Sequence, residues 1–518
     1  MTDVRENFIN EIKNRGIFSE YLPKSYVMPY EQFNIYKFGG SRKDSIEPYT
    51  YTMSRFGIVG DRRQISIPDP SAYVALVNYI EDNDDIVSDL INLSKSDNYS
   101  FSRIIDSDEK IIEDEKGYIV DSLMVEVEKY DTPVNEEENI RSVFVNNMLD
   151  KINITKGACG ILHIDISEFY RNIYTHNIAT IKIGVDAALE AYKTKSSDPD
   201  YKNYKELDEY VRALNGKRTN GLLIGPYISK VISEAILANV DMELTKKGLT
   251  YTRYADDYEF AIYSKEDIVK TKNDVARIFD RYSLRINNEK TRFEEYPFYI
   301  FSNFEKALGS VEQKKGAQEI IDLFNKFLKL EKSGEKGAIR YLLKAYDDKY
   351  TISDKDVFAD YLVNVLCNDE KGLGLAAEIM IKEYKSEKIS VTSAMSAVLK
   401  RKLDYEIENE HEFEIIWLLY LFKHLDIEDV EGFIHHIWDS QFELAKVLIL
   451  HEYSELLDDD MIVKAFNEAT SWILLYEIAH KLNTSDAFDR FYTKLDLKHS
   501  KNFYKKLFEK NYTFYNEV

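Results

Sequence analysis

The sequence predicts an α+β part over residues 1–305 joined to an all-helical part over 306–518. Three observations carry this. Before about residue 300, short apolar runs that end in turn residues alternate with helical patterns, as mixed α and β layers do. After about residue 310, apolar residues recur at helical spacing almost without interruption. No proline follows Pro297, so nothing in the second half breaks a helix by that route.

Strands are expected at 161–167 (ILHIDIS), on both sides of Asp256-Asp257 within 248–264, and at 296–301 (YPFYIF). Helical patterns start at Ser71 and Gly225, and a helix is expected to begin near Ser167, a good N-cap residue. Two polar stretches, 108–121 and 192–220, are expected to be exposed loops or short exposed helices. In the second half, helices are expected from Ala317, Gly337, Phe413 and Phe442, stacked in pairs like a solenoid although no sequence repeat is visible.

The chain has 518 residues and two cysteines far apart in sequence, so neither a disulfide framework nor a zinc site is indicated. The charged first residues lack a signal-peptide core, and no run of about 18 apolar residues suggests a membrane span. A soluble, reducing, cytoplasmic setting is expected. The formal net charge of −23 argues against tight nonspecific grip on duplex DNA, which normally draws on Lys and Arg.

Two motifs carry chemistry. Tyr254-Ala255-Asp256-Asp257 lies between two β-favouring runs and predicts a hairpin with two carboxylates at its tip. Adjacent like charges at one turn call for a cation. The apolar run ILHID delivers Asp165 at a strand end. Each motif alone would pass for a solvated turn or a helix cap. Together, one aspartate at a strand end beside two on a hairpin match what a two-metal centre needs.

At these residues the chain resembles a reverse transcriptase. Asp165 matches the first palm aspartate, and Asp256 and Asp257 match the YxDD pair. Asn220-Gly221-Leu222-Leu223-Ile224-Gly225-Pro226 resembles the Q-G-x-x-x-S-P element under the templating base and incoming nucleotide. Asn287-Asn288-Glu289-Lys290-Thr291 resembles the N-x-x-K-T element near the triphosphate. Asp61-Arg62-Arg63-Gln64 resembles the basic fingers motif. The resemblance implies a fingers and palm domain with Asp165, Asp256 and Asp257 as ligands of two Mg²⁺ ions, for which Mn²⁺ could substitute. It also implies Lys290 as a general acid, Arg62, Arg63, Asn220 and Gly221 as nucleotide-binding groups, and Tyr170 as a steric gate favouring dNTPs. His176 is either near the site or a structural histidine.

HIDISEFYRNIYTHNI, GLLIGPYIS and the long helical second half narrow the resemblance to bacterial abortive-infection reverse transcriptases of the AbiK type. That family implies phage defence, a HEAT-like helical domain, homo-oligomers, and untemplated DNA synthesis primed by a protein tyrosine. A single-stranded DNA product would then stay covalently attached. Tyr26, Tyr30 and Tyr36 are the candidate priming residues. Asn220 in place of Gln and Gly225 in place of Ser depart from templated enzymes in the same direction. A retron-like templated enzyme and an idle polymerase-fold scaffold are the rival readings.

Overall fold

The computed structural model describes residues 2–28, 34–54, 62–95, 100–102, 104–105, 119–120, 123–124, 150–298, 308, 314–333, 337–347, 350–369 and 371–516. The chain opens with helix α1 (Thr2–Arg15), then an antiparallel hairpin of β1 (Tyr49–Ser54) and β2 (Arg62–Ile67). Helix α2 (Pro70–Glu81) starts at an N-cap, where the Asp69 side chain accepts from the N–H groups of Ser71 and Ala72, with Pro70 at the first helical position. Helix α3 (Asp84–Ser94) follows after a break at Asp82-Asn83, so the single helical pattern from Ser71 is two helices.

Two-residue strands β3 (Ile119–Val120) and β4 (Leu123–Met124) precede the central sheet. That sheet contains β5 (Gly160–Ile166), β6 (Tyr251–Tyr254), β7 (Asp257–Ile262) and β8 (Ile286–Glu295), in the order β6-β7-β5-β8 and antiparallel throughout. The expected strand at 296–301 is not found among its described residues. The real partner strand, β8, lies just upstream and carries charges on both faces, which hides it from a search for apolar alternation. Cys159 and Cys367 are both free.

Helices cover the sheet. Helix α4 (Phe169–Asn172) follows β5, with Glu168 in the left-handed region, so the helix starts two residues after Ser167 and Ser167 does not cap it. Next come α5 (Thr180–Thr194), α6 (Pro199–Leu214), α7 (Tyr227–Lys246) and, after the hairpin, α8 (Asp267–Arg281). Helix α6 corrects the reading of 192–220 as loops or short exposed helices. Tyr201, Tyr204, Leu207, Val211 and Leu214 form a buried helical stripe inside a polar composition. The stretch 108–121 lies almost wholly outside the described residues.

The C-terminal region is largely helical: α9 (Ala317–Lys332), α10 (Ala338–Lys344), α11 (Lys355–Asn368), α12 (Leu373–Lys385), α13 (Ser393–Glu408), α14 (Glu412–His424), α15 (Glu431–Trp438), α16 (Glu443–Glu452), α17 (Asp459–Glu468), α18 (Trp472–Leu482), α19 (Ser485–Lys494) and α20 (Lys501–Glu509). Most of these helices pack on neighbours one and two places along the chain. The boundary expected at 305/306 falls outside the described residues.

This region does not stand apart from the N-terminal one. Tyr49 donates its hydroxyl to Glu412 Oε2 at 2.6 Å, and the Tyr51 ring stacks on Phe413. Trp472 Nε1 donates to the Ile67 carbonyl at 3.2 Å. Burial would raise the Asp44 carboxyl, but it accepts from the Ser500 hydroxyl and from the backbone N–H groups of Ser500, His499 and Lys498, and these bonds hold its pKa below the usual carboxylate value. Val27 N–H bonds to the Phe514 carbonyl and Asn516 N–H to that of Ser25, so residues 25–27 and 514–516 lie side by side. Among the described residues, no helix is long and apolar enough to cross a membrane.

Candidate active site

Strand register brings the carboxylates together. Asp165 on β5 lies opposite Asp257 on β7 and opposite Asn287 on β8. Residues in one row across a sheet share a face and sit close together. Asp256 precedes Asp257 at the β6–β7 turn, where its carbonyl accepts from Ile166 N–H at 3.2 Å. The turn passes through Ala255 at φ +48°, a left-handed conformation that a non-glycine residue adopts only when its surroundings enforce it.

The electrostatics follow from that crowding. Burial first, then repulsion by Asp165, pushes Asp256 up to about 6, with Arg63 and Lys290 pulling it back. Burial, then repulsion by Asp256 and Asp165, pushes Asp257 up to about 7. Asp165, only 5% exposed, has both oxygens engaged. Asn287 Nδ2 donates to Oδ1 at 2.9 Å and Lys290 Nζ to Oδ2 at 2.8 Å.

Lys290 reaches Asp165 because β8 is irregular opposite it. Arg292 pairs with His163 but Asn287 pairs with Asp165, so the residues between them bulge out of register. The Asn287 side chain caps the bulge by accepting from the N–H groups of Glu289 and Lys290. The N-x-x-K spacing is thus a local fold in which both polar members close on one aspartate.

The remaining candidates surround this centre. The Tyr170 hydroxyl lies 3.4 Å from Ser233 Oγ, and burial raises its pKa to about 12. Its carbonyl accepts from Leu222 N–H at 2.8 Å, which ties it to the segment of Asn220 and Gly221. Asn220 is exposed and bridges Tyr174, while Gly221, at φ +90°, bonds through its N–H to the Ile173 carbonyl. Gly225 has φ +133°, and a Cβ there would lie 2.7 Å from the Ser66 carbonyl oxygen of β2. Close approach by β2 therefore accounts for glycine at this position.

Arg62 and Arg63 part company. Neighbouring side chains of a strand leave on opposite faces. Arg63 acts on Asp256 and Tyr170. Arg62 instead donates to Thr52 Oγ1 and the Thr52 carbonyl at 3.0 Å each and to Glu414 Oε2 on α14 at 2.5 Å. Arg62 therefore ties β2 to the helical region. His176 Nδ1 pairs with the buried Asp208 at 2.6 Å, which makes it a structural histidine. Tyr26 and Tyr36 are each 4% exposed and donate to the carbonyls of Leu444 and Lys13, so neither hydroxyl is offered to a nucleotide. Tyr30 lies outside the described residues.

A metal ion fits the aspartates by charge. Burial, and then repulsion among the three carboxylates, pushes Asp256 and Asp257 toward protonation, and a divalent cation held there would offset both effects. A second trio, Glu406, His411 and Glu414, has ligand atoms within 4.8 Å of one another. Its charges are already matched. Lys402 Nζ is 2.6 Å from Glu406, His411 pairs with Glu406, and Arg62 pairs with Glu414. We read that trio as a structural ion-pair cluster. Sequence reasoning missed Arg253, Asp241 and Ser102 beneath the turn. The signal available was a lone arginine inside the otherwise uncharged, buried strand YTRY.

Comparison with known proteins agrees with this geometry. Residues 118–318 match the family model described as reverse transcriptase (RNA-dependent DNA polymerase). The retron Ec48 reverse transcriptase of Escherichia coli is 25% identical over 151 residues, covering 28% of this chain and 33% of that protein. The match spans about a third of that relative's length. Telomerase from Candida albicans, solved in complex with a TWJ fragment of telomeric RNA, superposes with a TM-score of 0.30 and 11% identity, over 95% of this chain and 68% of that one. A score that low supports no inference. The sheet that carries Asp165, Asp256 and Asp257 lies inside the matched segment, and the chain contains a reverse-transcriptase domain.

Proposed function

We propose that this protein is an anti-phage, abortive-infection DNA polymerase of the reverse-transcriptase family that joins dNTPs at Asp165, Asp256 and Asp257. The observation that carries the reading is the shared row of Asp165 and Asp257, with Asp256 beside it at the turn and both hairpin carboxylates pushed toward protonation. Two Mg²⁺ ions, or Mn²⁺ in their place, would supply Lewis acidity at the α-phosphate and a more nucleophilic hydroxyl when held there. The chain's own groups do the rest. Lys290 stands beside Asp165 as a proton donor for the leaving pyrophosphate. Arg63 faces the carboxylates as a triphosphate contact. The Tyr170 ring, packed against Ser233, favours deoxynucleotides by closing the space for a 2′-hydroxyl.

Untemplated synthesis from a protein tyrosine is part of this proposal. Asn220 in the central segment and the net charge of −23 support it. Burial of Tyr26 and Tyr36, with their hydroxyls bonded to backbone carbonyls, favours Tyr30 among the three candidates as the priming residue. In this reading the helical region is a HEAT-like stack, the protein works as a cytoplasmic homo-oligomer, and the DNA strand remains attached to it. A second reading, a templated retron-like enzyme, draws on the similarity to the retron Ec48 protein.

One incubation separates the two readings. Purified protein, Mg²⁺ and each labelled dNTP, with neither template nor primer, should give label that stays with the protein until protease frees a DNA ladder. Synthesis only after RNA template and primer are added would reject the untemplated reading and favour the retron-like one.

A further inference from the structure

Arg253, the third residue of β6, is 2% exposed and lies directly beneath the Ala255–Asp257 turn. Its guanidinium is gripped from one side by helix α7. Nε and Nη2 donate to Asp241 Oδ2 at 2.9 and 2.8 Å, and Nη1 lies 3.0 Å from Glu234 Oε2. Both acids are buried, at 3% and 6% exposure. From the other side Nη1 donates to the Ala255 carbonyl at 3.0 Å and to Ser102 Oγ at 3.2 Å. Ser102 Oγ in turn accepts from Ala255 N–H at 2.9 Å. Both backbone polar groups of the left-handed residue are therefore tied to one assembly.

Asp241 and Glu234 already bring more than enough negative charge to the one guanidinium, so ion pairing does not require the bonds to Ala255. Those bonds do fix a strained backbone, and the residues that follow it are the two hairpin carboxylates. Helix α7 also carries Ser233, which sets Tyr170, so one rigid element references both the carboxylates and the gate ring. A lysine would keep the charge but not the planar fork that serves four partners at once.

We propose that Arg253, with Ser102, is a positioning residue that fixes the spacing of Asp256 and Asp257 for divalent cations. The inference rests on the polymerase reading above, and its test separates the two. Full-length wild type, Ser102→Ala, Arg253→Lys and Asp257→Asn are titrated with MnCl₂ by calorimetry without nucleotide. Melting temperature and dNTP incorporation across a Mg²⁺ series are followed in parallel.

Ser102→Ala keeps every charge pair. It should fold as wild type while Mn²⁺ binding and half-saturating Mg²⁺ both worsen by about 10-fold, the lower end of the effect of losing a supporting partner. KM for dNTP at saturating metal should not move. Arg253→Lys should weaken Mn²⁺ binding by about 100-fold. Unchanged Mn²⁺ affinity in a folded Ser102→Ala protein overturns the proposal, as does loss of activity with no change in metal dependence. Mn²⁺ binding by wild type that weakens as expected in the variants, without any polymer being made, would uphold the positioning role and reject the polymerase reading.

Discussion

Asp257 sits where the fold disfavours its charge. Burial and two neighbouring carboxylates push its pKa to about 7, and Asp256 to about 6. A carboxyl whose folded pKa is raised binds more protons folded than unfolded, so its contribution to stability falls as pH rises from the unfolded value through the folded one. The metal-free protein should therefore gain stability from these groups on acidification from pH 8 toward 6, while divalent metal, which needs the ionised forms, should bind more weakly over the same interval. Thermal melts and Mn²⁺ titrations at pH 8, 7 and 6 check both signs. Asp257→Asn should abolish synthesis yet raise the stability of the metal-free protein at pH 8 by on the order of 1–2 kcal/mol, since it removes one of three repelling charges. A variant that is both inactive and less stable would contradict this. The three aspartates were legible in the sequence because each is delivered by a short local motif. The buried roles of Tyr26 and Arg62 were not, because their partners, Leu444 and Glu414, lie hundreds of residues away.

At the scale of elements, β5 and the β6–β7 hairpin were readable because apolar runs and a turn sit next to each other in sequence. Strand β8 was not, because its sequence INNEKTRFEE offers no apolar alternation and its order comes from pairing with β5. Helix α6 could have been found by counting the spacing of its Tyr, Leu and Val residues instead of its overall polarity. The Asn220–Pro226 segment shows how tightly these elements meet, since Ser66 N–H bonds to the Ile224 carbonyl at 2.7 Å and leaves no room for a side chain at Gly225. Gly225→Ala combines that clash with a positive φ, so it should destabilise the protein by about 1–3 kcal/mol. Chemical denaturation of the variant, with β2 moved or the protein unchanged in stability, would show the contact to be dispensable.

For the whole molecule, the helical region and the N-terminal hairpin hold each other in place. Arg62 and Glu414 form an ion pair with side chains 16% and 1% exposed. Arg62→Ala would leave Glu414 buried without its partner and should cost about 3–5 kcal/mol, whereas replacing both by apolar residues of similar size should be far milder. A double-mutant cycle read by thermal melting measures the difference. Removing residues 317–518 would uncover Tyr21, Tyr26, Tyr49, Tyr51 and Ile67 together. The shortened chain should then be insoluble or unfolded, and a soluble, active fragment of residues 1–316 would refute the mutual dependence.

The central claim is that Asp165, Asp256 and Asp257 form the metal centre. Crystals soaked in MnCl₂ with a non-hydrolysable dNTP, measured at the manganese absorption edge, test it most directly. The account predicts anomalous density between Asp165 and the Asp256–Asp257 turn, with the triphosphate running toward Arg63 and Lys290. Density at Glu406, His411 and Glu414 with none at the aspartates would contradict it.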